Sequence, residues 1–140
     1  MQEVILDSDL LSEILKQASQ NVLTHANAYL NEYPSLTLIT LSAFEMLSGL
    51  EHIQATTQLK RAEALFERNN EILPEKEDYR LASQIVGSMW RAGTPIGIVD
   101  PTIAACAIRR GLGVATGNTR HFEYIQKAGY TFHLENWRNA

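Results

Sequence analysis

Val4-Ile5-Leu6-Asp7-Ser8-Asp9-Leu10-Leu11-Ser12-Glu13-Ile14-Leu15 changes its hydrophobic period part-way along. Val4-Ile5-Leu6 is a continuous apolar run, which a strand covered on both faces requires. Leu10, Leu11, Ile14 and Leu15 then recur at the spacing of one helical face. Asp7-Ser8-Asp9 separates the two patterns. The stretch reads as a buried strand that ends in a polar, acidic turn and feeds directly into a helix. A strand buried on both faces belongs to a parallel sheet, so this short segment already points to an α/β architecture.

The rest of the chain repeats that alternation. A helix is expected over Gln17 to Asn31, with Val22, Ala26, Tyr29 and Leu30 on one face, ended by Tyr33-Pro34-Ser35. Leu36 to Thr40 has the β-rich composition of a second strand. Ser42-Ala43-Phe44-Glu45 matches the capping-box pattern of a helix start, and Gly49 is expected to weaken or end that helix. Gln54 to Arg68 reads as a helix, Asn69-Asn70 as a turn, Ile72-Leu73-Pro74 as a short strand or extended link, and Glu75 to Ala92 as a long helix. Ile96 to Val99 is taken as a further strand, leading into Asp100-Pro101, where Asp caps and Pro occupies the first helical position. That helix runs to about Arg110 and closes at Gly111. Val114 to Thr116 is a strand, Gly117-Asn118-Thr119 a loop, Arg120 to Lys127 a helix, and Tyr130 to Leu134 the last strand. The expected fold is a three-layer α/β/α sandwich with a mainly parallel central sheet, in a single domain over residues 1–140.

Composition agrees with one folded core. The chain has 140 residues, 45% hydrophobic and 20% charged, with no low-complexity tract. Its longest apolar runs fall far short of the roughly 20 residues that span a bilayer, and Met1-Gln2-Glu3 is acidic where a signal peptide would be basic. A cytoplasmic protein with no membrane association is expected. Cys106 is the lone cysteine and reads as a buried helix residue without chemistry. The net charge of −4 does not exclude nucleic acid, because a carboxylate cluster that binds cations makes the metal-free chain acidic.

In open α/β sheets, ligands bind outside the carboxyl ends of the strands. Asp7, Glu45, Asp100 and Asn118 each follow an expected strand by a few residues, so four polar groups from distant segments are expected at one sheet edge. Like charges about 4 Å apart cost roughly 4 kcal/mol at an effective dielectric of 20, and a bound cation would offset this. Mg²⁺ or Mn²⁺ takes oxygen ligands and activates water for attack on a phosphodiester. Each residue also has a plainer role: Asp7 and Asp9 beginning a helix, Glu45 completing the capping box, Asp100 capping, Asn118 turning the chain. His121 is a candidate acid or base beside Asn118. No Gly-rich phosphate loop, Cys pair or His-Glu-x-x-His motif is present.

Val4 to Glu13 resembles the opening of PIN-domain toxins of the VapC type. Ser42-Ala43-Phe44-Glu45-Met46-Leu47-Ser48-Gly49 is similar to that family's second acidic motif and Asp100-Pro101-Thr102-Ile103-Ala104-Ala105 to its third. Thr116-Gly117-Asn118-Thr119-Arg120-His121-Phe122 resembles the segment carrying the fourth site position. The resemblance spans nearly the whole chain in order. It implies a metal-dependent endoribonuclease with an RNA substrate, with Asp7, Glu45 and Asp100 as metal ligands and Asn118 as a fourth catalytic position. It also implies a cognate antitoxin protein as partner and a homodimer. Asp9 stands where the family often has Asn, and Asn118 where many members carry Asp. Two other readings stay open: a non-catalytic PIN-like interaction module, and a haloacid-dehalogenase-like phosphatase with Asp7 as nucleophile. The phosphatase reading lacks a Lys and a second acid between Ile98 and Asn118.

Overall fold

A computed structural model describes residues 1–140. The opening stretch forms strand β1 (Val4–Leu6) and helix α1 (Ser8–Lys16). Asp7 caps α1: its backbone is extended and its Oδ1 accepts from the Leu10 amide at 3.0 Å. The expected second helix starts three residues late, as α2 (Gln20–Glu32). Gln17 takes the left-handed conformation that closes α1, and Ser19 supplies a new cap through its Oγ to the Val22 amide.

Strand β2 (Thr37–Ile39) passes without a loop into α3 (Thr40–His52), followed by α4 (Thr56–Arg68), β3 (Asn70–Ile72) and α5 (Lys76–Arg91). The expected capping box at Ser42 and Glu45 is absent, because α3 has already begun at Thr40 and no side chain caps it. Ser42 is instead buried within the first turns, and Glu45 is free for other partners. Gly49 lies inside α3 and does not end it.

The strand expected over Ile96–Val99 does not form. Gly97 adopts φ +79°, which breaks an extended run, and α6 (Val99–Arg110) begins at once. Asp100 is therefore in the first turn of α6 and not its cap. Strand β4 (Gly113–Thr116), α7 (Arg120–Lys127) and β5 (Leu134–Asn136) complete the chain. The last strand lies further along than expected because its register on β4 pairs Val114 with Leu134 and Thr116 with Asn136.

All strand pairings are parallel, in the order β1-β4-β5 and β2-β3, and the two ladders meet where β1 lies beside β2. Alternate residues of each strand face opposite sides. Val4, Leu6, Leu38 and Ala115 join a core with Leu10, Val22, Tyr29, Met46 and Phe66 from α1 to α4. Ile5, Ile39 and Val114 join a second core with Ile85, Met89, Ile103, Phe122 and Ile125 from α5 to α7. The sheet thus lies between two helical layers, which is the expected α/β/α arrangement. Cys106 is buried in the second core, and burial pushes its thiol up to about 12, consistent with a packing role. No helix is long and apolar enough to cross a membrane.

The start of β1 is held by a side chain. The buried Val4 amide donates to Tyr29 Oη at 3.2 Å. Tyr29→Phe removes that acceptor and leaves a buried N–H unpaired, which costs about 1–3 kcal/mol. Urea denaturation is expected to show this loss with no change in the slope of the transition.

Candidate active site

The parallel ladder places Asp7. Its amide donates to the Ala115 carbonyl at 3.1 Å, so the carboxylate emerges at the carboxyl end of β1, beside the end of β4. Asp7 is only 5% exposed. Its Oδ2 accepts from Thr116 Oγ1, the last residue of β4. Burial pushes the Asp7 carboxyl up to about 7; the bonds from Thr116 and Leu10 oppose this, and the charges of Asp9 and Asp100 add to it.

Asp100 enters from the first turn of α6 and accepts from or shares a proton with His121 Nδ1 at 2.8 Å. Burial raises its carboxyl pKa, the His121 contact opposes the rise, and Glu45 and Asp9 contribute further repulsion. Glu45 stands on α3, where its Oε1 accepts from Ser8 Oγ at 2.6 Å. Asn118 lies in the turn after β4; its amide donates to Thr116 Oγ1 at 3.0 Å and its Oδ1 accepts from the Arg120 amide at 3.3 Å. Asp7, Asp9, Glu45, Asp100, Asn118 and His121 all line one cavity of about 240 Å³.

The four residues singled out from the sequence therefore share one cavity, even though Asp100 follows no strand. Two supporting groups are not legible in the sequence. Thr116 and Ser8 are ordinary hydroxyl residues, and only strand register and helix packing reveal that they hold Asp7 and Glu45. His121, expected beside Asn118, lines the same cavity, and its Nδ1 contacts Asp100.

The donor chemistry suits a hard divalent cation: the carboxylates supply oxygen only, Asp7 and Asp100 both carry raised pKa values, and no Lys or Arg lines the cavity to neutralise them. As the side chains stand, no three acidic, histidine or cysteine groups form a closed ligand cluster. The phosphatase reading also wants a lysine beside Asp7, and the lining has none.

The PIN domain family model matches residues 4–128. This chain belongs to the PIN-domain family. Its segments follow that family from β1 through α7, and the cavity acids fall within the matched residues. Among solved structures, the DNA-bound VapBC from Salmonella typhimurium contains a chain 25% identical to this one. The match covers 98% of this chain and 99% of that one, with a TM-score of 0.80. VapBC2 from Rickettsia felis, bound to a DNA fragment from its promoter, matches at 16% identity with coverage of 96% and 98% and a TM-score of 0.79. FitAcB from Neisseria gonorrhoeae matches at 21% identity with coverage of 98% and 99% and a TM-score of 0.68. These last two establish a shared PIN fold alone. No curated protein sequence gives a significant match.

Proposed function

We propose that this chain is a metal-dependent endoribonuclease, the toxin of a toxin–antitoxin pair, acting in the cytoplasm as one PIN-like unit over residues 1–140. Family membership supports a hydrolase of the nuclease class. The observation that carries the finer reading is Asp7. A carboxylate buried at a strand end, repelled by neighbouring acids and faced by no Lys or Arg, is costly unless a cation joins it.

Asp7, Glu45 and Asp100 would hold Mg²⁺ or Mn²⁺. When bound, the ion supplies an activated water and neutralises charge on a phosphodiester. The chain's own groups do the arranging. Thr116 orients Asp7, Ser8 holds Glu45, and His121 holds Asp100. Asn118, exposed at the mouth of the cavity, would orient water or a phosphate oxygen through its amide. A chain with net charge −4 repels a polyanion, so substrate approach would itself depend on the cation.

A protein antitoxin is the proposed partner, because similar folds occur in VapBC, in FitAcB and in a toxin–antitoxin complex from Klebsiella pneumoniae. A second copy of this chain is the proposed homodimer partner.

The purified protein incubated with structured RNA is expected to cut it in Mg²⁺ or Mn²⁺, to stop in EDTA, and to resume when Mn²⁺ is restored. Cleavage that persists in EDTA would remove the metal from the proposal. Absence of cleavage with either ion, together with no Mn²⁺ binding by calorimetry, would leave the non-catalytic interaction module.

A further inference from the structure

The turn that carries Asn118 is held from outside the matched family segment, by residues near the carboxyl end of the chain. Strand β4 stops at Thr116, so the next carbonyl, that of Gly117, has left the ladder. Arg138 Nη1 donates to it at 3.0 Å. The same guanidinium donates through Nε to Glu13 Oε1 on α1, at 2.9 Å. The segment bearing Arg138 is itself tied down: Asn21 Nδ2 donates to the Arg138 carbonyl at 2.8 Å, and the Arg138 amide donates to Asn136 Oδ1 at 2.9 Å.

The φ of Gly117 is not in the left-handed region, so no backbone conformation demands glycine there. A side chain at this position would instead meet the Arg138 guanidinium and displace it. A Cβ at position 117 would lie 2.5 Å from Arg138 Nε and 2.6 Å from its Cζ. The guanidinium rests directly on the glycine backbone, with Glu13 holding its other edge.

We propose that Arg138, oriented by Glu13, is a positioning residue: it fixes the Gly117 carbonyl and thereby sets where Asn118 stands relative to Asp7. The chain of contact is short. The Asn118 amide donates to Thr116 Oγ1, which in turn donates to Asp7 Oδ2, so a shift of the Gly117 peptide disturbs both. Arg138 touches none of the reacting groups and acts only through this turn. The inference rests on the nuclease reading for its kinetic readout, and on the fold alone for its structural one.

The test compares wild type with Arg138→Ala, Arg138→Lys and Glu13→Gln. In Arg138→Ala, kcat for Mn²⁺-supported RNA cleavage is expected to fall on the order of tenfold to a hundredfold, with KM within about twofold, because misplacement costs turnover more than binding. Arg138→Lys keeps a donor for the Gly117 carbonyl and is expected to recover part of the loss, and Glu13→Gln is expected to be intermediate. In the metal-free protein, hydrogen exchange at the Asn118 amide should accelerate by about tenfold or more in Arg138→Ala, while Val114 and Ile103 to Ala107 stay protected.

Unchanged kcat, or unchanged exchange at Asn118, overturns the proposal. So does equal acceleration in the core, which would mean that Arg138 merely supports global stability. If the wild type itself cuts no RNA, the nuclease reading fails, and the exchange experiment alone decides the positioning role.

Discussion

Asp7→Asn is expected to reduce RNA cleavage by at least about a hundredfold while leaving the metal-free protein at least as stable as wild type at pH 8. The catalytic loss follows from removing the carboxylate proposed to hold the metal; losses on the order of 10² to 10³ accompany deletion of one electrostatic group in a preorganised active site. The stability result has a different cause. The folded-state pKa of Asp7, about 7, lies above its ordinary value of 3.8. Above pH 7 the metal-free folded chain therefore carries a buried charge that the unfolded chain solvates freely. As pH falls from about 7 towards 4, the folded state takes up a proton that the unfolded state does not, and stability rises. At 1.36 kcal/mol per unit, the shift from 3.8 to about 7 sets an upper bound of about 4 kcal/mol on that penalty.

Asparagine removes the penalty without removing the contacts. Its side-chain oxygen still caps α1 at the Leu10 amide, and asparagine is a good cap. Its amide nitrogen can donate to Thr116 Oγ1, whose hydroxyl then turns to the Asn118 carbonyl 3.1 Å away. Denaturation in EDTA at pH 5 and pH 8 checks this: the wild type should gain stability at the lower pH relative to the variant. A variant that is as active as wild type removes Asp7 from the mechanism.

Asp78→Ala is expected to be the most destabilising single change among the charged residues, at about 3–5 kcal/mol. Asp78 sits on α5 with a side chain that is 0% exposed. It accepts from Arg109 Nη1 at 2.7 Å, from Arg110 Nη1 and Nη2 at 2.8 and 2.9 Å, and from the Glu75 amide at 2.7 Å. One carboxylate thus joins the start of α5 to the end of α6. Alanine leaves the Glu75 amide and two guanidinium groups without their acceptor. Because Arg109 and Arg110 remain partly exposed and can turn to water, the lower end of the range is expected.

Burial alone would raise the Asp78 carboxyl, but the bonds from Arg110, the Glu75 amide and Arg109 outweigh it and hold the group well below the usual carboxylate range. A depressed folded pKa gives stability that is complete above the ordinary value of 3.8 and lost as pH falls through the folded one. The variant should therefore lose the steep acid limb of the wild type as well as its thermal midpoint, by on the order of 10 °C at pH 7. A midpoint within a degree or two of wild type would show that the Asp78 carboxylate contributes nothing net.

These two aspartates show how unevenly the sequence reveals the surroundings of its residues. Asp7 was legible because its setting is local: an apolar run, an acidic turn and a helical period adjoin, and each is set by dihedral preference and burial over a few residues. Asp78 has a local role at the start of α5, where it accepts from the Glu75 amide, but nothing local points to its arginine partners. Its partners Arg109 and Arg110 lie about thirty positions away, and only the packing of α5 on α6 brings them together.

The same division runs through the candidate site. Local pattern marked Asp7, Glu45, Asp100 and Asn118, yet it misassigned how two of them are presented. Glu45 was read as part of a cap because Ser42 precedes it at capping spacing, whereas β2 runs straight into α3 and makes that cap unnecessary. Asp100 was read as a cap after a strand, whereas Gly97 turns the chain and Asp100 sits within the first turn. In both cases the position at the sheet's edge survived, since it depends on topology more than on the exact start of a helix.

By itself, then, the sequence determined the α/β class, the alternation of buried strands and amphipathic helices, and the acids that face one edge. Hydrophobic period and turn chemistry act over a few residues, so they can be read there. Only the tertiary structure decided which groups hold those acids: Thr116 on Asp7, Ser8 on Glu45, His121 on Asp100, and Arg138 on the turn that carries Asn118. Those contacts join residues as much as 109 positions apart, and they exist only once strand register and helix packing have set the distances between them.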